Sequence, residues 1–138
     1  MDSHIANVKG KVDILDESGL VSVRQQVRQC CRECAFGDTD TTRIVTAASE
    51  LARNVYRYAK SGEMRWQVLY DHGRQCIELV FEDQGPGIAD VNQALQPGFS
   101  TSRSLGLGLP GTKRLMDEME IVSTVGIGTK VTVRKCRA

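Results

Sequence analysis

The segment Cys76-Ile77-Glu78-Leu79-Val80-Phe81 is an almost continuous apolar run, and it stops at Glu82-Asp83-Gln84-Gly85-Pro86-Gly87. Apolar side chains on both faces predict a strand, Gln75 to Glu82, at the centre of a sheet. The Gly-Pro-Gly cluster predicts a hard break straight after it. A second strand, Met64 to Tyr70, precedes it across the hairpin turn Asp71-His72-Gly73-Arg74.

The remaining elements arrange themselves around this hairpin. Val8 to Leu15 alternates weakly and reads as a strand. Leu20 to Cys34 carries apolar or Cys residues at helical spacing, with Gly37 expected as the stop. Asp38 or Thr39 is expected to cap a second helix reaching about Lys60, with Ser61-Gly62 ending it. Its stripe is Ile44, Ala47, Ala48, Leu51, Val55, Tyr58 and Ala59. Asp90 to Leu95 reads as a short helix, and Pro97 to Gly106, rich in Gly, Ser and Thr, as a mobile loop. Pro110 suits the first turn of a helix reaching about Glu118. Ile121 to Val125 and Thr129 to Lys135 form a hairpin around Gly126-Ile127-Gly128. Adjacent antiparallel strands with helices on one face make an α+β two-layer sandwich, not a doubly wound sheet.

Composition narrows the function. The chain has 138 residues, 41% hydrophobic and 25% charged, which suits one domain over residues 1–138 without linker or repeat. Lys+Arg total 18 against Asp+Glu 17, so no electrostatic case exists for nucleic acid or an anionic membrane. There is no apolar run long enough to span a bilayer and no apolar signal segment near Met1, so a cytoplasmic protein is expected. The five cysteines, Cys30, Cys31, Cys34, Cys76 and Cys136, are odd in number and clustered. They make a poor disulfide framework and suit a reducing compartment. Cys31-x-x-Cys34 has no second such pair, so these residues read as small buried helix residues rather than half of a zinc or redox site. The basic end, Lys130 to Arg137, reads as a solvated edge strand.

Four constellations carry chemistry. Glu50 and Asn54, four apart on a helix, share one stripe at the edge of the apolar face. A carboxylate and an amide oxygen there suit Mg²⁺ or a general base beside it. Asp83-Gln84-Gly85-Pro86-Gly87 offers an acceptor-only carboxylate and glycines that allow a flat ligand to approach. Gly106-Leu107-Gly108-Leu109-Pro110-Gly111 precedes a helix, where free N–H groups bind phosphate. Gly128-Thr129 adds a hydroxyl in a late hairpin. Each alone is weak: glutamates on half-exposed helices are commonly solvated, aspartates commonly start turns, and no strand precedes the glycine motif as a dinucleotide fold requires.

Their order, E-x-x-x-N, D-x-G-x-G, a Gly/Ser-rich stretch, G-x-G-x-x-G and G-T, resembles the GHKL ATPase/kinase family and its Bergerat ATP-binding fold. Ser49-Glu-Leu-Ala-Arg-Asn54, Glu82-Asp-Gln-Gly-Pro-Gly-Ile88, Gly98-Phe-Ser-Thr-Ser102 and Gly106 through Glu118 look like the anti-sigma-factor serine/threonine kinases, and within them the stressosome switch kinases. The resemblance implies ATP and Mg²⁺ as cofactors, with Asn54 on the metal and Asp83 accepting from adenine N6 with help from Thr129. It implies Gly85 and Gly87 at the adenine, and Gly106, Leu107, Gly108, Leu109 and Gly111 at the phosphates. Ser100, Thr101, Ser102 and Arg103 would form a short lid, and Glu50 would be the catalytic base. Arg103 and Lys113 are candidate extra cations, and Arg53 and Arg57 lie near the Glu50 stripe.

The implied substrates are STAS-domain antagonist or scaffold proteins phosphorylated on serine or threonine. The kinase released by that reaction would activate a PPM-type phosphatase. The alternative is an anti-sigma factor that sequesters a sigma subunit and phosphorylates its antagonist. A sensor histidine kinase domain would need an acceptor-histidine helix, and His4 and His72 sit in a tail and a turn. A binding module without catalysis is disfavoured because every residue the resemblance expects at the nucleotide is present.

Overall fold

A computed structural model describes residues 9–91, 95 and 108–138. Among these, the elements are β1 (Lys9–Ile14), α1 (Glu17–Glu33), α2 (Asp38–Ala59), β2 (Gly62–Asp71), β3 (Arg74–Asp83), α3 (Gly108–Leu115), β4 (Glu118–Thr124) and β5 (Gly128–Cys136). The strands form one sheet in the order β1-β2-β3-β5-β4, and every pairing is antiparallel. This is the expected α+β two-layer sandwich, with β3 at its centre.

The two faces of the sheet differ because the pleat alternates. Met64 and Val68 of β2, Ile77, Leu79 and Phe81 of β3, and Val131 and Val133 of β5 are buried on the helix side. They meet Val23, Val27, Cys30 and Cys31 of α1 and Ile44, Ala47, Ala48, Leu51 and Val55 of α2 in one core. The outer face carries ion pairs instead, among them Arg134–Glu78 at 3.1 Å and Arg65–Glu82 at 3.0 Å. α3 packs against α2.

Several boundaries differ from the sequence-based expectation. α1 stops at Ala35 rather than Gly37. Ala35 takes φ 57°, its N–H donates to the Arg32 carbonyl, and the Phe36 N–H donates to the Cys31 carbonyl. That is the Schellman arrangement, with Ala where Gly is usual. α2 is capped by Gly37, not by Asp38 or Thr39; Asp38 and Asp40 lie in its first turn, where carboxylates favour the helix dipole. Lys60, at φ 71°, rather than Ser61-Gly62, turns the chain out of α2. α3 ends at Leu115, because Glu118 already belongs to β4.

The basic segment is not an edge strand. β5 lies between β3 and β4, and β4 forms the edge. Lys135 of β5 is buried and pairs with Asp117 at 3.3 Å; Asp117 also accepts the Cys136 N–H at 2.9 Å. The reading of the cysteines is corrected as well: Cys76 and Cys136 form a disulfide, opposite each other across β3 and β5 with Cα atoms 4.0 Å apart. Their separation of 60 residues hides a proximity that only the β3–β5 crossover creates. Cys30, Cys31 and Cys34 are free and buried. Burial, ahead of the neighbouring Cys34, pushes the Cys31 thiol up to about 12. A hydrogen bond with Cys34, ahead of burial, also raises Cys30. Both are therefore poor thiolate nucleophiles. Among the described residues, no group of three or more His, Cys, Asp or Glu could hold a metal ion, and no helix is long and apolar enough to cross a membrane.

Candidate functional site

α2 is the wall from which the site is built. Its apolar stripe is buried from Ile44 to Val55, although Tyr58, expected on that stripe, is exposed; the flanking stripe of Glu50 and Asn54 falls at the core's edge, and both residues are half-buried. The Glu50 side chain is 13% exposed, and Arg53 Nη1 donates to its Oε2. Arg53, one turn on, thus orients the carboxylate, while Arg57 is exposed.

The end of β3 is pressed against the last turns of α2. A Cβ added at Gly62 would lie 2.6 Å from Val55 Cγ1, and one added at Gly85 would lie 2.6 Å from Ala59 Cβ. The chain therefore passes too close to the helix for any side chain, which is why glycine is needed. Asp83 Oδ1 accepts the Gly85 N–H at 2.8 Å, closing an Asx turn that fixes the carboxylate at the strand's end. Asp83 faces the helix side, in register with Thr129 of β5.

The β4–β5 turn locks onto this loop. Gly126 N–H donates to the Pro86 carbonyl at 2.9 Å. Ile88 N–H donates to Ser123 Oγ at 2.7 Å, and Ser123 Oγ lies 2.8 Å from Thr129 Oγ1. Gly87 takes φ 80°, and a Cβ there would lie 2.5 Å from the Thr124 carbonyl oxygen.

Gly108, Leu109, Pro110 and Gly111 form the first turn of α3, as the glycine motif predicts. Thr112 is buried, and its hydroxyl donates to the Gly108 carbonyl at 2.9 Å. Lys113 is exposed. Gly106 and Leu107, the expected lid residues Ser100, Thr101, Ser102 and Arg103, and residues 92–94 of the expected Asp90–Leu95 helix lie outside the described residues; the Leu95 N–H donates to the Val91 carbonyl at 3.1 Å. The structure thus brings Asp83, Gly85, Gly87 and Thr129 together at one end of the sheet. It sets Glu50 and Asn54 on the helix that end abuts, and Gly108, Leu109 and Gly111 on the helix packed against it. Ser123 escaped the sequence reading, although its inward register two residues after Ile121 was a usable signal.

The chain belongs to the histidine kinase-like ATPase domain family, whose model matches residues 15–135. The serine/threonine-protein kinase RsbT of Bacillus subtilis (strain 168) is 45% identical over 129 residues, covering 94% of this chain and 97% of that protein. The anti-sigma F factor of Halalkalibacterium halodurans is 34% identical over 102 residues, covering 70% of this chain and 69% of its own. The solved RsbU and RsbW domains of a Mycobacterium tuberculosis protein superpose with a TM-score of 0.60 at 21% identity, over 94% of this chain and 32% of that one. A mycobacterial sensor histidine kinase, MprB, superposes with a TM-score of 0.56 at 18% identity, over 94% and 97%. At these identities the structural likeness is one of fold.

Proposed function

We propose that this chain is a single-domain, ATP-dependent protein serine/threonine kinase of a partner-switching module, acting in the cytoplasm. The observation that carries the reading is the Asp83–Gly85 turn at the end of the central strand, pressed against the helix that bears Glu50 and Asn54. An adenine-sized ligand at Asp83 would extend its phosphates between α2 and the start of α3.

The residues fit ATP and Mg²⁺. Asp83 Oδ1 is held by Gly85, which leaves Oδ2 to accept from an exocyclic amine. Gly108 and Gly111 keep the α3 N-terminus open to phosphate oxygens. Asn54 offers one amide oxygen, which suits Mg²⁺, an ion that takes few protein ligands and completes its shell with phosphates and water. Mg²⁺ would supply the charge neutralisation that phosphoryl transfer needs. Glu50 would take the proton from the acceptor hydroxyl as its oxygen attacks the γ-phosphorus, and Arg53 holds the carboxylate in place for it.

Likeness to the serine/threonine-protein kinase relative supports a serine or threonine acceptor; the motif resemblance extends this to a STAS-domain protein, with the released kinase activating a PPM-type phosphatase. The anti-sigma relatives favour a second reading, capture of a sigma subunit. Retention of a sigma subunit but no phosphatase on the immobilised chain would select it.

Thermal melts with and without Mg-ATP test the site. A ligand at 100 times its Kd adds about 2.7 kcal/mol. Stabilisation of the wild type but not of Asp83→Asn is expected. An unchanged wild-type melt at millimolar Mg-ATP would overturn the reading.

A further inference from the structure

Three contacts converge on the hydroxyl of Ser123. Ile88 N–H points at it from 2.7 Å, Thr129 Oγ1 lies at 2.8 Å, and the Gly128 carbonyl lies at 3.2 Å. A serine hydroxyl has one proton and two lone pairs. The Gly128 carbonyl can only accept and the Ile88 N–H can only donate, so the direction of the threonine contact decides the network.

Only one arrangement makes all three contacts hydrogen bonds at once. Ser123 donates to Gly128, and accepts from both Ile88 and Thr129. The reverse, Ser123 donating to Thr129, leaves the Gly128 contact without a proton. In the satisfied arrangement the single proton of Thr129 is consumed by Ser123. Thr129 therefore turns only lone pairs toward its other neighbours.

Thr129 stands opposite Asp83 in the β3–β5 register, and the ionised Asp83 carboxylate is also acceptor-only. The wall formed by the pair then offers no donor. We propose that Ser123 is a positioning residue that sets nucleotide specificity: by holding Thr129 as an acceptor, it favours a purine with an amine at this wall over one with a carbonyl. The inference rests on the adenine pocket proposed above. It adds the residue that fixes the pocket's hydrogen-bond polarity without touching the base. The Ile88 contact gives the same hydroxyl a second duty, tying the Gly85–Gly87 loop to β4.

The test is the ratio of the Kd for Mg-GTP to that for Mg-ATP, measured by calorimetry on the full chain. Wild type should favour ATP. Ser123→Ala frees the Thr129 hydroxyl to rotate and donate to a carbonyl, and the ratio should fall about tenfold, the worth of one hydrogen bond. Ser123→Thr keeps the hydroxyl and should restore the ratio. General loosening of the pocket would weaken both nucleotides together and leave the ratio alone, so an unchanged ratio in Ser123→Ala overturns the inference. If that variant fails to fold, Ser123→Cys, of similar size but a poor acceptor, should show the same fall, and an unchanged ratio there is equally fatal. Asp83→Asn separates the two levels. If it loses ATP while Ser123→Ala keeps its ratio, only the role of Ser123 fails; if it binds ATP like wild type, the adenine pocket fails and this inference with it.

Discussion

Gly128 approaches the backbone of Asp83 so closely that a Cβ built on it would lie 2.1 Å from the Asp83 carbonyl oxygen. The same glycine has φ 149°, a conformation that L side chains rarely adopt. Gly128→Ala must push the β4–β5 turn away from β3, and we expect a loss of about 2–4 kcal/mol in urea unfolding. Gly126, at φ 84°, faces open space, so Gly126→Ala should cost only the left-handed strain of about 1–2 kcal/mol. Equal losses in the two variants would show that the Asp83 approach is relieved cheaply.

The role proposed for Glu50 predicts that it is separable from nucleotide binding. Its carboxylate is engaged by Arg53 on α2, while the residues proposed to meet adenine lie on β3 and β5. Glu50→Gln keeps the shape and removes the base, so transfer to a STAS-domain acceptor should drop about 10²–10⁴-fold. The Mg-ATP-induced rise in Tm should persist. Undiminished transfer would remove Glu50 from the chemistry.

What the sequence made legible was local. The period of α2 placed Glu50 and Asn54 at the core's edge, and the apolar run of β3 placed Asp83 at the end of a central strand. The expected Asp71–Arg74 turn narrows to His72-Gly73, both at positive φ, because Asp71 and Arg74 already pair across β2 and β3. What stayed hidden depends on the β3–β5 crossover: the interior position of β5, the buried Lys135 and the Cys76–Cys136 bond. No local pattern records which non-consecutive strands become neighbours. The helix stops were misplaced for another reason: Ala35 and Lys60 take the positive φ that glycine usually supplies, and the N–H groups of Ala35, Phe36 and Lys60 close the last turns onto the Arg32, Cys31 and Tyr56 carbonyls.

Ala35 offers a gain. An L residue in the left-handed region costs about 1–2 kcal/mol, and glycine removes that cost while adding chain entropy of about 0.5–1 kcal/mol to the unfolded state. Ala35→Gly should therefore stabilise by about 0.5–1 kcal/mol, read as a higher urea midpoint with an unchanged slope. A lower midpoint would mean that the Ala35 methyl makes a contact worth more than the strain.

Asp16 makes stability depend on acid. Its side chain caps α1, accepting from the Ser18 and Gly19 N–H groups. The Ser18 side-chain hydrogen bond, followed by that from Gly19, lowers its carboxyl below the usual 3.8. A lowered folded value means the cap contributes fully above the unfolded value and fades as pH falls through the folded one. Asp16→Ala should thus lower Tm by a few degrees at pH 7, and the difference from wild type should shrink below pH 3.8. A difference that is constant down to pH 2 would assign the loss to something other than the ionised cap.

Cys76 and Cys136 lie outside the core cluster that α1 and α2 cover, so the fold does not require their bond. Closing a loop across 60 residues still restricts the unfolded chain, by about 4 kcal/mol in the entropic account. Reduction should lower Tm on the order of 10 °C. Asp83 lies seven residues further along β3, roughly 23 Å away at the rise of a strand, so Mg-ATP affinity should be unchanged. Thiol titration of the unfolded chain should find three free cysteines before reduction and all five after it. In the reducing compartment proposed for this kinase the bond would open, leaving an active enzyme of lower stability. Loss of Mg-ATP binding on reduction would mean instead that the two ends of β3 are coupled.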